Sequence, residues 1–93
     1  MRRDMKLCEK IMTQVERQPS LDLAPIGVEG HEVEEIDYHL MLLREAGFVD
    51  AEQVHGSKGQ SQWHARRLTW AGCEWLERER ATQRRNMAGS TRI

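Results

Sequence analysis

The stretch that decides the fold is IDYHLMLLREAGFV, residues 36–49. Taken back to Val33, it sets Val33, Ile36, Leu40 and Leu43 on one face at helical spacing, and Gly47 follows as a helix stop. The spacing predicts a helix over about residues 33–46. The far face carries Tyr38, Met41 and Leu42 among Glu34, Asp37 and Glu45. Three large apolar side chains there need a cover, either another element of the same chain or a partner.

Working outward, Asp4 suits the cap of a first helix running to about Arg17. Leu7, Cys8, Ile11 and Val15 form its apolar stripe, Met5 and Met12 flank it, and Pro19-Ser20 ends it. Residues 21–30, LDLAPIGVEG, hold too many breakers for a helix and suit a short extended segment with Pro25 at an edge. After Gly47, FVDAEQV (48–54) reads as a strand, HGSKGQ (55–60) as a glycine turn and SQWHARRLT (61–69) as the returning strand of a hairpin. Thr69 can cap a last helix whose apolar face is Leu68, Gly72, Trp75 and Leu76. Beyond Leu76, ERERATQRR is polar all round, so that end is expected to be solvated, frayed or paired with another chain. One domain is expected over residues 1–85 and a disordered tail over 86–93.

Composition narrows the function. Hydrophobic residues make up 39% and charged residues 31% of 93, which suits a folded domain. No apolar run approaches the ~20 residues a membrane span needs, and MRRDMKLCEK carries charges where a signal peptide is apolar. A cytoplasmic protein without membrane contact is expected. Cys8 and Cys73 lack metal-ligand spacing and sit in apolar-periodic segments, so buried free thiols are expected. The net charge of −1 hides an asymmetry: residues 1–50 hold 6 Lys/Arg against 11 Asp/Glu (−5), residues 51–93 hold 8 against 4 (+4). Contact with nucleic acid should therefore come from the back half.

The predicted order is helix, short strand, helix, β-hairpin, helix: an α+β, small winged helix-turn-helix-like domain with its usual second helix shortened or missing. Three stretches carry that resemblance. IDYHLMLLREAGFV is similar to the recognition helix of arsenical-repressor-type regulators. The glycine hairpin with Arg66 and Arg67 on its return strand resembles a wing. LTWAGCEWL (68–76) resembles the L-T-x-x-G-x-x-x-L opening of the last helix in multiple-antibiotic-resistance-type regulators. Over nearly its whole length the chain resembles a domain-of-unknown-function family of phages, prophages and bacteria. That family begins R-D-M-x-L-x-x-x-I (here Arg3 to Ile11) and continues E-E-I-x-Y-H-L-x-L-L-x-E-A-G (Glu34 to Gly47) and R-L-T-x-x-G (Arg67 to Gly72). This resemblance implies a fold and a phage-linked setting but no activity. APIGVEG stands where metal-sensing arsenical repressors carry a cysteine pair, so metal sensing is not implied.

No catalytic constellation or phosphate-binding glycine loop is visible, so the chain is expected to be non-enzymatic, with no cofactor, metal or small-molecule substrate. His31, His39, His55 and His64 are scattered, and His39, at the margin of the core stripe, is expected to be structural. Two readings stay open. In the first, DNA is bound by the wing and the C-terminal arginines: His55, Lys58, His64, Arg66, Arg67, Arg84 and Arg85, with Arg78 and Arg80 able to add backbone contacts. Alternation along the return strand would expose only one of Arg66 and Arg67 on a given face. In the second, the acidic face of Glu34, Asp37, Tyr38, Met41 and Leu42, with Trp63 and Trp70 as further anchors, docks a host or phage protein. Self-pairing through the long last helix would make a homodimer.

Overall fold

Asp4 starts the fold. Its carboxylate accepts from the backbone N–H groups of Lys6 (3.0 Å) and Leu7 (3.2 Å), satisfying two donors that the first turn cannot. The computed structural model describes residues 1–90, with side chains described as far as Arg85. It contains α1 (Met5–Glu16), β1 (Ala24–Pro25), α2 (Val33–Glu45), β2 (Val49–His55), β3 (Ser61–Leu68) and α3 (Trp70–Ser90). The tail expected over 86–93 lies outside the described residues, apart from the helical backbone of 86–90.

The three strands form one antiparallel sheet in the order β1-β3-β2. Pro25 sits on the edge strand β1, where its missing N–H costs no ladder bond. The helices pack around β3: α1, α2 and α3 each touch it, and α1 also touches α2 and α3. Leu7, Ile11, Met12 and Val15 of α1, Ile36, Leu40 and Leu43 of α2, Val49, Ala51, Ala65 and Leu68 of the sheet, and Leu76 of α3 form one buried cluster.

α2 ends as expected. Gly47 adopts φ 79°, its N–H reaches the Arg44 carbonyl (3.0 Å), and the Phe48 N–H reaches Leu43 (3.0 Å). These two bonds make a Schellman stop, which needs a left-handed residue and so favours glycine. α3 starts as expected too, with the Thr69 hydroxyl accepting from the Gly72 N–H at 3.0 Å.

Three expectations about burial are corrected. Val33 is 54% exposed, because it is the first residue of α2 and the helix meets the core only from Ile36 onward. Cys73 is exposed while Cys8 is buried: α3 turns Gly72 and Leu76 inward, and that rotation sends Cys73 out. Met12 is fully buried, whereas Met5 remains 44% exposed.

The polar end of α3 is largely exposed, one of the outcomes expected, but it is also partnered within the chain. It lies along α1 of the same chain. Arg80 donates to both carboxylate oxygens of Glu16 (3.2 and 2.9 Å) and to the Thr13 hydroxyl (3.3 Å), and the Gln83 amide donates to Glu9 (2.8 Å). A helix polar all round thus packs by hydrogen bonds where it has no apolar stripe to bury. Among the described residues no helix is long and apolar enough to cross a membrane.

Candidate interaction face

α2 presents two different sides away from the core. Toward β3, Asp37 accepts a hydrogen bond from the backbone N–H of Trp63 (3.1 Å), and the Arg44 guanidinium lies over the Trp63 ring at 5.8 Å. β1 pairs only as far as His64, so just past it the edge of β3 is met by a carboxylate of α2. Burial raises the Asp37 pKa, opposed by the Trp63 N–H and by nearby His64, while Glu34 adds to the rise. Asp37 and Trp63, read from sequence as surface groups, are therefore joined to each other and half spent on structure.

The outward side carries Glu34, Tyr38, Met41 and Glu45. Glu34 and Glu45 are exposed, and Tyr38 and Met41 are half-buried. The Tyr38 and His39 rings meet in a T-shaped pair (centroids 5.4 Å apart, planes at 88°). Leu42, equally half-buried, lines a depression together with Arg3, Met5 and Cys8. All three of the expected far-face residues stay half-buried at the surface, with Leu42 on the side of the depression shared with Met5 and Cys8 of α1. Part of the acidity has a local cause. Glu34 and Glu35 stand in the first turn, where the helix dipole favours carboxylates, and Glu35 also pairs with His31.

His39 is buried, as expected of a structural histidine. One ring nitrogen, Nε2, accepts from the Asp4 N–H (2.9 Å), and Nδ1 lies 2.8 Å from the Glu35 carbonyl, which fixes the proton on Nδ1. The ring ties the start of α1 to α2.

The hairpin brings its arginines together, but onto carboxylates of its own. Asp50 pairs with Arg67 and Ala51 with Ala65, so Arg66 is the extra residue of a β-bulge. The bulge overturns the expected alternation and turns both arginines to one carboxylate. Arg66 Nε lies 3.5 Å and Arg67 Nε 3.8 Å from Asp50 Oδ2, and Arg66 Nη2 donates to Glu52 at 3.0 Å. Only the bulge could have revealed this, and no residue in ARR announces one.

The other candidates are dispersed. His55 and Lys58 are exposed at the end and tip of the hairpin, His64 is half-buried at its root, and Arg84 and Arg85 are exposed on α3. Trp70, 81% exposed at the start of α3, donates its indole N–H to Glu74 and joins neither group. A depression of about 610 Å³ lies between α1 and the segment before α2, and none of these residues lines it. Among the described residues no three His, Cys, Asp or Glu side chains are placed to hold a metal ion.

Comparison with known proteins fits the resemblance to a domain-of-unknown-function family. A protein of Haemophilus influenzae (strain ATCC 51907 / DSM 11121 / KW20 / Rd), named only "Uncharacterized protein", is 34% identical over 82 residues, covering 86% of this chain and 69% of its own. No solved structure matches the chain significantly. The family profile described as "Hypothetical protein (DUF2513)" matches residues 2–86, and the chain belongs to that family.

Proposed function

We propose that this chain is a non-enzymatic, winged-helix-like docking domain that binds a protein through the outward face of α2, with Tyr38 and Met41 at its centre and Glu34 and Glu45 at its rim. The element order and the β1-β3-β2 sheet support the winged-helix-like part, with α2 in the place of a recognition helix. The observation that carries the protein-docking part is the neutralised wing: Arg66 and Arg67, two of the cations expected to hold DNA, already face Asp50 and Glu52. A phosphate backbone would meet carboxylates on α2 and paired arginines on the hairpin, which leaves little of the charge that dominates DNA affinity. An apolar centre within an acidic rim suits instead a partner with an apolar anchor ringed by Lys or Arg. The phage-linked setting suggested by the sequence motifs fits a host or phage protein as partner.

A second reading keeps DNA as the partner, held by His55, Lys58, Arg84 and Arg85. It is favoured by their exposure and by the lack of an ion-pair partner for Lys58, Arg84 and Arg85 among the described residues. Fluorescence anisotropy with a mixed-sequence duplex, from low to physiological salt, separates the two. Wild-type protein should not bind even at low salt. Salt-sensitive binding that disappears in Lys58→Glu/Arg84→Glu would establish the second reading and sink the first. In a pull-down from bacterial lysate, Tyr38→Ala/Met41→Ala should lose whatever wild type captures, and capture unchanged by those substitutions counts against the α2 face.

A further inference from the structure

The bulge that neutralises the hairpin arginines is more than a local irregularity. We infer that Asp50 and Glu52 are specificity determinants that hold nucleic acid off the hairpin by occupying Arg66 and Arg67. The inference extends the protein-docking reading, but its test can fail separately.

The geometry supplies the reason. A bulge places two residues of one strand against one of the other, and here the pair opposed to Asp50 includes both arginines. Glu52, two residues along β2, takes the Nη2 end of Arg66. The arginine side chains are 35% and 52% exposed and the two carboxylates 39% and 56%, so all four groups are open to an approaching phosphate. Two cations and two anions at that spot leave no net local charge for phosphate to gain. Each ion pair is weak by itself at such exposure, so phosphate could displace the carboxylates from their contacts. It could not remove their charge, because both are fixed to the neighbouring strand. Placing a repulsive group against the unwanted partner is one general route to specificity, and here it would leave the scaffold of a DNA reader intact while removing its affinity.

The test is a charge change that keeps shape. Asp50→Asn/Glu52→Gln frees two cations, so the variant should bind a mixed-sequence duplex at low salt where wild type does not. With about two phosphates engaged, that binding should weaken roughly tenfold between about 50 and 200 mM salt. Adding Arg66→Gln/Arg67→Gln should return the protein to wild-type behaviour. Glu52→Gln alone disturbs only an exposed pair and should give about half that salt slope, which keeps the test open if the half-buried Asp50 proves necessary for folding. A folded double variant, checked by circular dichroism, that binds no better than wild type overturns the inference. Wild-type binding that persists when Arg66 and Arg67 are both replaced by Gln would instead sink the protein-docking reading and leave the role of Asp50 and Glu52 to the same comparison of variants.

Discussion

The carbonyl oxygen of Phe48 lies 2.0 Å from where a Cβ on Gly72 would stand. Helix α3 therefore passes against the backbone of the α2–β2 turn, and the same carbonyl accepts from the Thr69 N–H at 3.0 Å. The T-x-x-G of LTWAGCEWL has a physical reason in both residues: threonine caps the helix, and glycine lets it approach. Gly72→Ala should cost about 3 kcal/mol or more, since backbone on both sides must move. Ala71→Gly, exposed on the same turn, should cost about 1 kcal/mol. Urea titrations of the two variants check this, and equal midpoints would contradict the close approach.

The two thiols should behave differently. Cys8 is buried, and burial raises its pKa, opposed by Arg3, so it is both covered and poor in thiolate. Cys73 is exposed. A chromogenic disulfide reagent should titrate one thiol promptly in native protein and the second only as fast as the chain opens. Cys73→Ser should abolish the prompt phase, and two prompt thiols would contradict the packing of α1.

Asp37 gives a pH dependence of definite sign. Its folded-state pKa is raised by burial, so the folded state holds the proton more firmly than the unfolded chain. Stability from this group is greatest when it is protonated and falls as pH rises through the window just above the ordinary carboxylate value. Asp37→Asn, whose amide oxygen can still accept from Trp63, should flatten that part of the profile and be at least as stable as wild type at neutral pH. Asp37→Ala should lose about 1 kcal/mol with the hydrogen bond. Thermal unfolding followed from acid to neutral pH reads both.

His39 should be irreplaceable by an apolar residue of similar size. His39→Leu keeps the bulk but leaves the Asp4 N–H without its acceptor, at about 1–3 kcal/mol. Amide exchange should speed up in the first turn of α1 more than elsewhere. Uniform protection with unchanged stability would remove His39 as the tie between α1 and α2.

What the sequence by itself determined is local. The Asp4 and Thr69 caps, the Gly47 stop, the hairpin with its turn and most of the inward face of each helix are set by neighbours within a few residues. Tertiary structure decided what depends on register and on the rotation of one element against another. The bulge brings Arg66 and Arg67 onto Asp50, where strict alternation would have parted them. The shortness of β1 leaves the Trp63 N–H to Asp37, and the fit of Gly72 against Phe48 turns Cys73 outward. Arg80, in a stretch with no apolar pattern to read, found Glu16 because α3 is long enough to lie beside α1. Such contacts join residues far apart in the chain, and their geometry exists only once the core has fixed how the elements sit.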